Sequence, residues 1–162
     1  MPKPRGLTLI ELMVTLAVIA IVLLIAAPSL VEFLARRRVE GVAQELSTDL
    51  QYARSLAVNN RIEVTLNRTS AAQYEITGTV IEGGASVVRS FKTLQLNGAT
   101  LSGSDSVSYE PHRGTRSTAG ADPAITVAAA GTSATLRVSV TPMGQAQICS
   151  PDATMGGYPT CP

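Results

Sequence analysis

The sequence predicts an α+β protein: one long N-terminal helix, membrane-spanning in its first half, packed in its second half on a C-terminal antiparallel β-sheet. Three observations carry this. Residues 7–30 are almost wholly Leu, Ile, Val, Met and Ala, with Glu11 as the one charge. Residues 31–60 then place apolar side chains at steps of three and four, the spacing of one helix face. Beyond Asn60 the apolar runs become short, partly alternating and separated by glycines, which is strand patterning.

The apolar run is long enough to cross a bilayer, since about 20 residues suffice for a helix. A secretory signal would be shorter and would end at a small-residue cleavage site. Here Pro28 directly follows the Ala26-Ala27 pair. An ordinary anchor would explain the length but not what precedes it: a basic leader ending Arg5-Gly6, then Leu7-Thr8-Leu9-Ile10-Glu11. A carboxylate within an apolar span costs about 2.5–3.5 kcal/mol on insertion scales, so a lone one marks function.

This arrangement resembles the class III signal of type IV prepilins and type II secretion pseudopilins. The resemblance implies cleavage between Gly6 and Leu7 by a prepilin peptidase, N-methylation of Leu7, and an assembly role for Glu11, whose charge would meet the N-terminal amine of a neighbouring subunit. The family usually has Phe where this chain has Leu7. Flanking charge runs against this orientation: Arg36, Arg37 and Arg38 follow the span, and Lys3 and Arg5 precede it. The positive-inside rule favours a cytoplasmic C-terminal side. The leader motif and the cysteines outweigh that margin of one residue. Pro28 removes a backbone donor and predicts a kink or local melting of the helix, at a place where pilin-like proteins commonly carry proline.

In the second half of the helix, Val39, Val42, Leu46, Leu50, Ala53 and Ala57 form the apolar stripe, while Arg36–Arg38, Glu40, Glu45, Asp49 and Arg54 fall mostly elsewhere. Asn59-Asn60 is the expected stop. Strands are expected at 62–66, 74–77, 87–91, 107–109, 125–128 and 136–140, with 145–149 as a last edge strand. Gly83-Gly84, Asn97-Gly98, Gly103, Gly114 and Gly131 punctuate them, and Asn97-Gly98 suits a tight hairpin turn. The organisation expected is a leader at 1–6, a transmembrane and polymerisation half-helix at 7–30, an amphipathic half at 31–60, and a β-rich head at 61–162.

Composition bounds function. The 162 residues carry 13 basic and 12 acidic side chains. Without the leader the formal charge is −1, so bulk charge invites no polyanion. Cys149 and Cys161 have no histidine or further cysteine near them for a zinc site. They read as a disulfide formed in an oxidising compartment. No nucleophile–base constellation, phosphate loop or metal spacing is present, so neither catalysis nor a cofactor is expected. His112, the one histidine, sits with Arg113 and Arg116 in a loop that reads as a solvated tip, or as a small basic contact site.

Tyr52-Ala53-Arg54-Ser55-Leu56-Ala57-Val58, followed by Asn59-Asn60-Arg61 and a strand, resembles the helix end of GspH/FimT minor pseudopilins and minor pilins. Gly144-Gln145-Ala146-Gln147-Ile148-Cys149 resembles that family's closing Gly-Arg-x-Arg strand. The resemblance implies a type IV pilin-like fold, a bacterial inner-membrane location with the head in the periplasm, and partners among other pilins or pseudopilins, the prepilin peptidase and the inner-membrane assembly platform. The expected function is a minor pilin that starts type IV pilus assembly near the filament tip; the cysteine-closed C-terminus leans toward the pilus. The alternative is a pseudopilin of type II secretion. Some FimT-like members bind DNA through the two arginines of the closing motif. Gln145 and Gln147 replace both here, which disfavours DNA binding and leaves only Arg113 and Arg116 as a substitute patch.

Overall fold

The computed structural model describes residues 8–82, 85–96, 98–117 and 122–162. The leader, the Gly6/Leu7 junction, Gly83-Gly84 and Asn97 lie outside these. The chain divides into two compact units, one ending at Leu34 and the other Ala35–Pro162. One helix, α1 (Leu9–Asn60), supplies both.

In the first unit every described residue is exposed. Leu, Ile and Val project all around the helix, which is long and apolar enough to cross a membrane. A helix apolar on every side needs lipid or protein on every side. The helix runs unbroken through Pro28, which corrects the expected local melting. One proline deletes one backbone bond, and the Leu-, Ile- and Ala-rich turns before it are strong helix formers.

From Ala35 on, α1 has a dry face. Ala35, Val39, Ala43, Leu46, Leu50, Ala53 and Ala57 are buried, recurring every three or four residues. Val42, expected in this stripe, is only half-buried, and Ala43 beside it takes the buried position. The helix ends at Asn60, as the Asn59-Asn60 pair predicts, and Arg61 adopts a left-handed φ of 53°.

The expected single sheet is corrected to two four-stranded antiparallel sheets. The first contains β1 (Val64–Ser70), β2 (Gln73–Glu82), β3 (Ala85–Gln95) and β5 (Ser106–Tyr109) in the order β3-β2-β1-β5. The second contains β4 (Ala99–Gly103), β6 (Ala124–Ala129), β7 (Leu136–Val140) and β8 (Ala146–Cys149) in the order β4-β6-β7-β8. Sequence reading missed β4. It also took Asn97-Gly98 as a hairpin turn, but β3 pairs with β2 and β4 with β6. The segment after Gln95 therefore carries the chain from one sheet to the other. Gly98 holds a φ of 77°, and the Arg38 guanidinium lies against its Cα. Arg38, exposed overall, thus lies against the head at Gly98.

Register explains the core. Cross-strand partners project to the same face. Leu66 lies opposite both Ile76 and Val107, and Val127 opposite both Leu101 and Leu136. All are buried. The inner faces of both sheets and the α1 stripe form one hydrophobic cluster.

A carboxylate enters it. Asp49, placed by sequence pattern on the wet side, is 4% exposed. The Tyr74 hydroxyl donates to Asp49 Oδ2 at 2.8 Å and Lys92 Nζ donates to Oδ1 at 2.7 Å. Lys92 lies opposite Ile76 in the β2–β3 ladder, so it shares the helix-facing side of the sheet. Glu45 stands 3.7 Å from Nζ. Burial raises the Tyr74 hydroxyl far above its ordinary range, and the bond to Asp49 adds to this. Burial lowers Lys92, but its bond and attraction to Asp49, with Glu45, outweigh that and raise it.

Both groups hold their protons more tightly folded than unfolded. Their stabilisation is therefore complete below the unfolded values of 10.0 and 10.5 and is lost as pH rises beyond them. Denaturant melts of the full chain should show stability falling above about pH 10, and a Tyr74→Phe, Lys92→Met double variant should lessen that fall, leaving the share of Tyr109, whose hydroxyl burial also raises. Asp49→Ala should cost about 1–3 kcal/mol at neutral pH, because it strands a buried hydroxyl.

Candidate functional site

Two regions carry the residues singled out by sequence. The first is the start of α1. Thr8 precedes the helix, and its Oγ1 accepts the backbone N–H of Glu11 at 3.3 Å. Thr8 and Glu11 thus occupy the N-cap and third positions, the spacing of a capping box. Sequence reading passed over Thr8, although the Thr-x-x-Glu spacing is itself a helix-start signal. Glu11 is exposed in the first turn. A carboxylate there opposes the positive end of the helix dipole, and it remains open to a cation from outside the chain.

The second region is the end of α1 in the head. Gly114 and Gly144 meet there, both in the left-handed region with φ of 61° and 78°. A Cβ on Gly144 would overlap the Gly114 carbonyl oxygen. That oxygen accepts Arg54 Nε at 2.9 Å. The Ala-Arg-Ser segment at the helix end is thereby bolted to the turn at 111–114 and to the glycine that opens the closing motif.

Beside this contact lies a cleft of about 690 Å³, lined by Gln51, Arg54, Val58 and Asn59 of α1 with Arg113 and Gln145 opposite. Arg113 therefore does fold beside the last strand. Arg116 does not join it. Its side chain is 5% exposed and its Nη1 lies 3.1 Å from Asp122 Oδ1. The expected two-arginine patch is corrected: Arg113 is exposed, while Arg116 is buried in an ion pair within its own loop region. Arg54, a conspicuous part of the helix-end motif, takes the second place in the cleft. Gln145 and Gln147 are both exposed, and His112 is exposed in the turn.

Cys149 and Cys161 are joined, with Cα atoms 5.0 Å apart. Closing so short a loop stabilises by about 3 kcal/mol on the chain-entropy model. The loop returns to α1, where the Tyr158 hydroxyl accepts from Gln44 Nε2 at 3.1 Å and donates to Glu40 Oε1 at 3.2 Å.

An apolar helix with a first-turn carboxylate, joined to a two-sheet head closed by a disulfide, defines a pilin-like subunit. Comparison with known proteins agrees. Residues 1–27 match the prokaryotic N-terminal methylation motif, and residues 42–144 match the family of type II transport protein GspH. The chain belongs to that GspH family of minor pilins and pseudopilins. The fold is similar to two crystal forms of the type IV minor pilin FimU of Pseudomonas aeruginosa PAO1. One is 20% identical with a TM-score of 0.52 and covers 67% of this chain and 90% of that one. The other is 19% identical with a TM-score of 0.54 and covers 72% and 91%. No curated protein matches the chain.

The Gly114–Gly144 contact makes a direct prediction. Gly144→Ala should destabilise the head by about 1–3 kcal/mol, from its left-handed backbone and the overlap with a carbonyl. Gly41→Ala, with open space around it, should be neutral or stabilising. Urea midpoints of the two variants compare them.

Proposed function

We propose that this chain is a minor pilin of a type IV pilus that takes part in starting filament assembly at the inner membrane and resides near the filament tip. The observation that carries this is the helix up to Leu34, exposed and apolar on every side with Glu11 in its first turn. Such a helix is stable in lipid, and stable again in a bundle of like helices. Glu11 makes the second state preferable: its charge is costly in hydrocarbon and is relieved by an amine from a neighbour. In this reading residues 1–6 are a leader removed between Gly6 and Leu7, Leu7 is N-methylated, and the mature head lies in the periplasm. Residues 7–30 are the polymerisation half of the helix, kinked at Pro28, residues 31–60 its amphipathic half, and residues 61–162 the head. The prepilin peptidase, the assembly platform and other pilins are the partners.

A pseudopilus of type II secretion is the second reading, favoured by the description of the matching family as a type II transport protein. DNA capture is the weaker one. Gln145 and Gln147 are exposed but neutral, and Arg116 is spent on Asp122.

Mass spectrometry of the membrane-extracted protein should find a methylated N-terminus at Leu7; a start at Met1 or Pro28 contradicts the reading. Glu11→Ala should leave the head folded and the protein in the membrane while its recovery in sheared filaments falls severalfold. Undiminished incorporation argues against the role given to Glu11.

Each phosphate contact by a cation adds about 0.9 to the salt slope of duplex binding. Mobility shifts at two salt concentrations should therefore show weak, shallow binding by the natural chain. Gln145→Arg with Gln147→Arg should bind more tightly and more steeply. Tight, steep binding by the natural chain would move the function toward DNA capture.

A further inference from the structure

The cleft at the end of α1 has no part in the role given to Glu11. Its two cations come from different elements, Arg54 from the helix and Arg113 from the turn, and no carboxylate lines it. Neither arginine makes an ion pair among the described residues. Four other cations of the head do have acidic partners: Arg37 pairs with Glu40, Arg68 with Asp105, Lys92 with Asp49 and Arg116 with Asp122. The nearest acid in sequence, Glu110, accepts the Thr115 hydroxyl at 2.8 Å and is not part of the lining. What sets Arg54 and Arg113 apart is that they line one shared space with no carboxylate in its described lining.

The arrangement is also preorganised. Arg54 is fixed through Nε to the Gly114 carbonyl, and Gly114 is fixed by its contact with Gly144. Groups held before binding lose less freedom when a ligand arrives. Gln51, Asn59 and Gln145 line the same space and offer both donors and acceptors, which suits a peptide backbone. Val58 and Ala146 supply apolar surface. The volume falls within the roughly 300–1,000 Å³ of small-ligand and side-chain sites.

We propose that this cleft docks a carboxylate-bearing peptide segment of a partner protein. Arg54 and Arg113 take the carboxylates of Asp or Glu side chains, and the amides take the adjacent backbone. Guanidinium and carboxylate match in geometry as well as charge. A nucleic acid fits the observations less well: the cations sit in one concavity rather than along a stripe, and the whole chain carries a formal charge of only +1. The proposal goes beyond the assembly reading and does not depend on Glu11.

The test uses the full chain in detergent micelles and fluorescence anisotropy. The probes are a short capped oligoglutamate peptide, its oligoglutamine counterpart and a short DNA duplex. Oligoglutamate should bind, and oligoglutamine should not. Arg113→Gln should weaken oligoglutamate binding about tenfold, the scale of one lost charged hydrogen bond. Arg113 is exposed, so this variant should melt like the natural chain. Arg137→Gln, at a separate cavity, and Glu11→Ala should bind as the natural chain does. No binding of oligoglutamate, equal binding of oligoglutamine, indifference to Arg113→Gln, or tighter binding of the duplex through the same arginine each overturn the proposal.

Discussion

The head depends on one stripe of helix α1. From Ala35 to Ala57 small and larger apolar residues follow one another along it, and both sheets contribute their inner faces to the same cluster. Neither four-stranded sheet has a second sheet-sized layer of its own. Each buries its apolar face only because the helix and the other sheet are there. The alanines at 43, 53 and 57 matter as much as the leucines between them. A small side chain lets a sheet come close, and Leu46 and Leu50 fill the space where it stands off. A large residue at Ala53 would have to push strands apart, since the position is fully buried.

A mostly aliphatic core specifies shape weakly, and this chain has few aromatic rings and no tryptophan. Two polar devices supply alignment instead. Asp49 reaches both Tyr74 on β2 and Lys92 on β3, so sliding the helix by one turn would leave a buried carboxylate, a hydroxyl and an ammonium unmatched. Gly114 and Gly144, with Arg54, fix the other end of the buried stripe to the turn before β6 and the turn before β8. The disulfide loop adds a third tie through Tyr158 to Glu40 and Gln44. Helix position is thus set at three points, and the apolar contacts between them need only be well packed.

Much of this was legible in the sequence where one physical signal dominated. Glu11 stood out because nothing around it was charged. Leu46, Leu50 and Ala53 followed from helical period. Strand β7 was read to its ends because Leu136, Val138 and Val140 alternate cleanly between turns. Where two signals compete, reading failed. Asp49 looked like a solvent-facing acid because its partners are 25 and 43 residues away. Strand β4, Ala-Thr-Leu-Ser-Gly, has too few large residues to announce itself. Asn97-Gly98 carries strong turn chemistry, but turn chemistry does not say whether the next strand stays in the same sheet. Arg116 and Arg113 look alike in sequence; only the fold assigns one to Asp122 and the other to a cleft.

That difference between two arginines bears on how a family with one scaffold can serve different ends. The last strand, β8, lies at a sheet edge, and its residues 145 and 147 are exposed. Cations there would face outward, where a polyanion of any sequence could reach them. Glutamines there remove that general attraction. Arg113 lines, with Gln145, a concavity that Arg54 also lines. Charge in a concavity acts on ligands that fit it, because the ligand must give up water to enter and recovers the cost only through matched contacts. Moving positive charge from an open edge strand to a cleft therefore exchanges long-range, salt-sensitive attraction for selectivity. The helix and the stripe beneath the sheets are untouched by that exchange. In the proposed role, the chain keeps the part that enters a filament and varies the part that decides what the filament's subunit meets.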